Sequence, residues 1–169
     1  MSHRGGQVDA ALSQADADDV AAQLGRRLRG QHRAAHRCSC GAVDVVRTAP
    51  RLDDGTPFPT TFYLTCPRAT GAVSTLESQG MMREMSARLG AEPELASAYA
   101  AAHEDYLARR AVLGEVAEIE GVSAGGMPTR VKCLHVLVAH SLAAGPGVNP
   151  LGDEAVQALD DWGARGRCV

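Results

Sequence analysis

The hydrophobic pattern of the chain changes its period near residue 69, and this change constrains the fold more than any other feature. Before it, short apolar and β-branched runs stand between turn residues and predict strands at about 33–38, 42–48 and 60–66. Asp54-Gly55 and nearby prolines predict a long irregular loop between the last two strands. We expect these strands to form a small antiparallel sheet.

After this point the apolar residues recur at helical spacing. The periodic segments predict helices over 71–90 with a break near Gly80, over 93–121, from about Pro128 to 144, and over 151–163. Another helix is predicted over about 13–30, with Ser13 or Asp16 as its cap. The predicted class is therefore α+β, with a small antiparallel sheet near the N-terminus packed against a mainly helical C-terminal part.

The length and charge of the chain limit its organisation and its partners. The 169 residues predict one domain over residues 14–165, preceded by a flexible polar segment at 1–13. The formal charge of -3 argues against a nucleic-acid partner, which would require a basic surplus. The sequence shows no long apolar run and no secretory signal, so we expect a cytoplasmic protein without membrane insertion. In that compartment the five cysteines are expected to be thiols, metal ligands or redox groups rather than disulfides.

Six segments, taken in order, resemble one bacterial protein family: RCSCGAVDVV, DGTPFPTTFYLTCP, LESQGMM, HEDYLAR, GGMPTRVKCLHVLVAH and NPLGD. That family is DUF501, and the resemblance covers about residues 17–155. The family has no defined biochemical role; its usual gene neighbours, which include an exopolyphosphatase-type phosphatase and a septum-formation initiator, imply a polyphosphate or a cell-envelope and division setting. The resemblance also implies that Cys38 matches a family cysteine and that Cys40 is an addition of this chain.

Cysteines at the ends of two predicted strands and on a predicted helix are the main candidates for chemistry. Cys38 and Cys66 would lie at strand ends, and Cys133 would lie on the helix after Pro128. Together with His140, they would supply four ligands for zinc or an iron–sulfur cluster. Because the spacing contains no CxxC pair, this hypothesis requires the fold to bring distant thiols together. Cys168, next to the C-terminus, is assigned no role.

The stretch TRVKCLHVLVAH cannot form a metal site by itself. On a regular helix, Cys133 and His140 share a face but lie about 10 Å apart along the axis, whereas His135 points away. At most, this segment contributes one face of a site that other segments complete. His103 is a further candidate near the same pocket.

Two other functions remain open. The first is a thiol-dependent enzyme acting on a small anionic or phosphorylated ligand, with Cys66 as nucleophile and a histidine as base. Arg130 or Lys132 would then bind the anion, near the glycine pair that precedes the predicted helix. The second is a non-enzymatic module that binds an unknown small molecule or protein through the GTPFPTT loop and a pocket edge near Asn149.

Ordinary packing is the remaining interpretation of these residues. Free cysteine is among the most buried residue types and behaves as a small apolar side chain. A lone helical histidine such as His135 or His140 is also a common hydrogen-bonded core residue. Only the placement of these side chains can separate this interpretation from the chemical ones.

Overall fold

The computed structural model describes residues 5–169, which form an antiparallel sheet covered by helices. The four strands stand in chain order, as β1 (Gly6–Ala11), β2 (His32–Arg37), β3 (Val43–Thr48) and β4 (Phe62–Leu64). The helices are α1 (Gln14–Leu24), α2 (Pro67–Ser78), α3 (Met81–Ala91), α4 (Pro93–Ala111), α5 (Leu134–Ala144) and α6 (Pro150–Gln157), with a short 3-10 helix at Ala117–Ile119. The predicted α+β class and the three predicted strands are confirmed.

The edge strand β1 lies inside the segment that the sequence analysis treats as flexible. Residues 1–4 of that segment lie outside the described residues, but Gly6–Ala11 pairs antiparallel with β2. Almost all of its side chains are exposed, so the strand shows no apolar alternation that a sequence pattern could reveal. Backbone pairing holds it instead, together with the Gln7 side-chain amide, which donates to the Ala143 carbonyl 3.1 Å away.

Both faces of the sheet are covered. Consecutive residues of a strand point to opposite faces, and Val45 and Val46 accordingly belong to two separate core clusters. Val46 lies in a small cluster with Val20 of α1. Val45 lies in the main core, which includes residues of α2, α4, α5 and α6. The apolar runs of β3 and β4 therefore reflect burial of both faces.

Helix α5 is the centre of the main core. Its residues from Val136 to Leu142 are all buried, so this helix is enclosed rather than amphipathic. Helix α6 packs closely against it at Gly152. A methyl group at Gly152 would overlap the Leu137 carbonyl and the Ser141 hydroxyl, so only glycine permits this approach.

The predicted start of α5 at Pro128 is wrong. The residues before α5 form a compact turn, in which the Lys132 N–H donates to the Gly125 carbonyl at 2.7 Å and the Arg130 N–H donates to the Gly126 carbonyl at 3.1 Å. These amides are therefore not available to continue the helix backwards. The helix begins one residue after Cys133, which is its N-cap. Helices α4 and α6 also end earlier than the apolar pattern predicts.

Among residues 5–169, no helix combines the length and the apolar character needed to cross a membrane.

Candidate metal and thiol sites

Three cysteine side chains meet at one end of the sheet. Cys38 and Cys40 stand in the turn after β2, and Cys168 reaches them from the segment that follows α6. Their sulfur atoms all lie within 4.8 Å of one another, and Cys38 Sγ and Cys168 Sγ are 3.7 Å apart. No disulfide joins these residues, because all three cysteines are free. A group of three sulfur atoms this close together could hold a metal ion.

A fourth thiol adjoins this group. Cys66 is the buried N-cap residue of α2 and shares the main core with Cys38 and Cys168, although it is not one of the three cysteines whose sulfur atoms all lie within 4.8 Å of one another. The Cys40 N–H also donates to Cys38 Sγ at 3.5 Å, as an amide would to a metal-bound thiolate. We call Cys38, Cys40, Cys66 and Cys168 the sulfur cluster.

Burial disfavours the charged thiolate form of most of these cysteines. It raises the pKa of Cys38 and of Cys168 to about 12, and it also raises the pKa of Cys66. Burial acts in the same direction on Cys40, but hydrogen bonds to the Ala42 and Cys168 backbone and to neighbouring thiols lower its pKa overall. Most of the cluster therefore stays neutral unless a cation compensates the charge of the thiolates.

Side chains from the body of the domain fasten the C-terminal segment to the cluster. Arg68 of α2 donates to the Gly166 carbonyl at 2.8 Å and approaches Cys168 Sγ at 3.9 Å. The Trp162 indole N–H donates to the buried Asp44 carboxylate at 3.1 Å. The second oxygen of Asp44 lies 2.7 Å from His36 Nδ1. Cys168 is thus held in place by contacts with both the sheet and α2.

Gly163 leaves the space in which the turn around Cys38 fits. A methyl group at this position would overlap the Ser39 hydroxyl and lie 2.5 Å from Cys38 Sγ.

We expect Gly163→Ala to displace the turn and to weaken metal binding by about tenfold or more, since misplaced ligands lose affinity. Competition with a chromogenic chelator would measure this change. Gly166→Ala is not a suitable control because of its positive φ of 95°, whereas Gly71→Ala is, because nothing lies within 4 Å.

Cys133 does not join the sulfur cluster, so the predicted set of Cys38, Cys66, Cys133 and His140 is corrected. Its sulfur atom lies within 4.8 Å of ligand atoms of Glu77 and His135. Glu77 is near the C-terminal end of α2, whereas Cys66 is the N-cap of that helix, about 16 Å away along its axis. Cys133 therefore lies at the opposite end of α2 from Cys66 and belongs to a different group from Cys38.

The second group consists of Glu77, Cys133 and His135. The His135 Nδ1 atom lies 3.1 Å from Glu77 Oε1 and 3.9 Å from Cys133 Sγ. The same carboxylate oxygen accepts the Leu134 N–H at 2.9 Å, which ties α2 to the first turn of α5. A regular helix over these residues would place His135 on the face opposite Cys133. The two meet because Cys133 is not helical, so the rule of 100° per residue does not apply between them.

His140, predicted as a metal ligand, lies in neither group and is fully buried. Its Nε2 atom is 2.8 Å from Asp105 Oδ2, and its Nδ1 atom accepts the Asn149 amide at 3.2 Å. Its ring is enclosed by Phe62 and Tyr106, with centroids 5.9 Å and 5.0 Å away. Burial lowers the pKa of His140, so this ring is a neutral, hydrogen-bonded core residue.

The other predicted ligand-binding residues are dispersed. His103 is buried, with Nδ1 2.7 Å from the Ser123 hydroxyl. Asn149 is also buried, and its side-chain oxygen caps α6 by accepting the Gly152 N–H. Arg130 and Lys132 are exposed on the turn before α5, and their role in binding an anion stays a prediction.

Three functional candidates were not found by sequence reasoning. Cys168 was assigned no role, Cys40 was treated as an addition outside the ligand set, and Glu77 was not considered. The local Cys38-Ser39-Cys40 pair was the available signal, since metal motifs usually bring ligands in such pairs. Cys168 offered no spacing signal, because its nearest cysteine partner in sequence is Cys133.

The chain matches the model of one protein family, and the description of that family states no activity. The family model described as "Protein of unknown function (DUF501)" matches residues 34–157 of the chain. No curated protein and no solved structure matches this chain. Cys38, Cys66, Cys133 and His135 fall within the matched range, and Cys168 lies beyond it.

Proposed function

We propose that this chain, which belongs to the DUF501 family, is a zinc-binding domain whose ion is held by Cys38, Cys40 and Cys168, with Cys66 moving in as the fourth ligand. The observation that carries the proposal is the meeting of the Cys38, Cys40 and Cys168 sulfur atoms within 4.8 Å of one another. Cys38 and Cys168 are 130 residues apart in the sequence, so their meeting is a property of the fold rather than of a local turn.

The spacing of the sulfur atoms suits a single tetrahedral ion. With zinc–sulfur bonds of about 2.3 Å, the ligands of a regular tetrahedron stand about 3.8 Å apart. Cys38 Sγ and Cys168 Sγ are 3.7 Å apart, which is close to this edge length and much longer than a disulfide bond. Cys66 adjoins Cys168 and is the candidate for the fourth ligand.

The same spacing favours zinc over an iron–sulfur cluster. No iron of such a cluster binds more than two cysteines, so three cysteine sulfur atoms cannot all be close neighbours, whereas those of Cys38, Cys40 and Cys168 lie within 4.8 Å of one another. A set of four thiolates would also leave no open position for a substrate or water, as is usual for a structural zinc ion. The expected role is therefore to fasten the C-terminal segment to β2 and α2.

Metal analysis of the purified protein tests this proposal. We expect about one equivalent of zinc in the wild-type chain and less than about a tenth of that in Cys168→Ser. Cys133→Ser is the matched control, because it removes a thiol outside the cluster and should leave the zinc content unchanged. Replacement by cobalt should give the thiolate charge-transfer bands of a tetrahedral site. A metal-free wild type that takes up no zinc on refolding would refute the proposal, as would zinc that survives in Cys168→Ser.

A further inference from the structure

The group of Glu77, Cys133 and His135 lies outside the sulfur cluster and has its own chemistry. All three side chains are partly exposed; 28% of the His135 side chain and 23% of the Glu77 side chain are accessible. Small solutes can therefore reach this group, whereas Cys38, Cys66 and Cys168 are buried. It differs from a buried structural cysteine in having both a histidine and a carboxylate as neighbours.

The hydrogen bonds of His135 identify its charge state. Nε2 lies 3.2 Å from the Thr70 carbonyl, which can only accept, and 3.3 Å from the Ser74 hydroxyl, which itself donates to that carbonyl, so this nitrogen carries a proton. Nδ1 lies 3.1 Å from the Glu77 carboxylate, which already accepts the Leu134 N–H through the same oxygen. Nδ1 therefore also carries a proton, and the ring is an imidazolium. The same contacts disfavour a metal at this group, because a metal ligand must offer a nitrogen lone pair.

This imidazolium stands beside the Cys133 sulfur atom. Nδ1 and Sγ are 3.9 Å apart. Burial acts to raise the pKa of Cys133, but the contacts with His135 and Val136 lower it overall, against the charge of Glu77. Contact with Cys133 and the charge of Glu77 raise the pKa of His135 to about 9, against burial. Among the described residues, His135 and Glu77 are the charges that act on this thiol, and Lys132 is its exposed neighbour in sequence.

We propose that Cys133 is a nucleophilic thiolate that forms a reversible mixed disulfide with a low-molecular-weight disulfide. The Cys133 sulfur attacks one sulfur atom of the disulfide, a new S–S bond forms, and the original S–S bond breaks. The second sulfur leaves as a thiolate and takes a proton from the His135 imidazolium. Cys133 is oxidised and one equivalent of free small thiol is released. Within residues 5–169, no second thiol is placed to resolve the adduct, since Cys66 lies about three helical turns away along α2.

This proposal is independent of zinc binding and is tested on the zinc-loaded full chain. Incubation with oxidised glutathione at pH 7, followed by peptide mapping, should give one glutathionyl group on Cys133, removable by a reducing agent. The rate of carbamidomethylation of Cys133 by iodoacetamide should change by less than about tenfold between pH 6 and 8, whereas an ordinary thiol changes by about a hundredfold. We expect His135→Gln to slow this reaction at pH 7 by about tenfold or more and to restore the ordinary pH dependence.

Lys132→Gln is the matched control, since it removes an adjacent charge and keeps the imidazolium. Its reaction rate should stay within about twofold of the wild type. The wild-type pH profile decides the question even if His135→Gln fails to fold. A hundredfold change in rate between pH 6 and 8, or an adduct that forms first on another cysteine, would overturn the proposal. So would a second equivalent of zinc that protects Cys133 from alkylation, because the group would then be a metal site.

Discussion

Removing the metal with a strong chelator is expected to lower the melting temperature of the wild-type protein by about 10 °C or more. A ligand present at a thousand times its dissociation constant stabilises the folded state by about 4 kcal/mol. In a domain of this size, each kcal/mol corresponds to about 2–4 °C in melting temperature. The effect should be large because the chain would lose the ion that connects Cys168 of the C-terminal segment to Cys38 and Cys40 at the end of the sheet.

Differential scanning calorimetry with and without chelator measures this effect. Cys168→Ser should melt near the temperature of the chelated wild type and should not respond to chelator, because it has no ion to lose. Cys133→Ser should respond as the wild type does. A wild-type melting temperature that stays unchanged on chelation and on addition of zinc would contradict a structural metal. A fall of equal size in Cys168→Ser would mean that the chelator acts elsewhere.

The fold was largely predictable because its signals are local. The change of apolar period near residue 69 separated the sheet from the helices, and three of the four strands followed from it. The strand that escaped, Gly6–Ala11, has almost wholly exposed side chains, so it lacks the alternation on which strand prediction depends. The start of α5 was predicted wrongly because Pro128 suits a first helical position. In the structure, the carbonyls of Gly125 and Gly126 instead accept hydrogen bonds from amides of the residues that follow, which close a turn.

The site was less predictable because it depends on contacts between residues that are far apart in the sequence. The sequence predicts a site built from Cys38, Cys66, Cys133 and His140, and of these the structure places only Cys38 in the group with Cys40 and Cys168. Cys168 completes that cluster only because the segment after α6 folds back to β2, and nothing in its local sequence specifies this path. Cys133 was placed with the wrong partners because a helix was assumed around it. Its position at the N-cap directs its sulfur atom towards His135 and Glu77 instead.

His140→Ala is expected to lower the free energy of unfolding by about 3 kcal/mol while leaving the zinc content unchanged. The substitution opens a cavity between Phe62 and Tyr106, and it removes the buried partner of Asp105 and of the Asn149 amide. Urea denaturation and metal analysis of the same samples measure the two quantities. A variant that keeps its stability but loses zinc would mean that His140 is a metal ligand after all.

The pH dependence of the stability lost in His140→Ala should show whether His140 is neutral in the folded protein. Burial holds the pKa of this ring below its ordinary value of 6.5, so the unfolded chain binds a proton there more readily than the folded one. The stabilisation that the neutral ring provides is therefore fully present above about pH 6.5 and decreases as the pH falls below it. The difference in unfolding free energy between the wild type and His140→Ala should accordingly shrink from pH 7.5 to about pH 5. A difference that grows on acidification would mean that Asp105 holds a charged imidazolium, and that the ion pair outweighs the cost of burial.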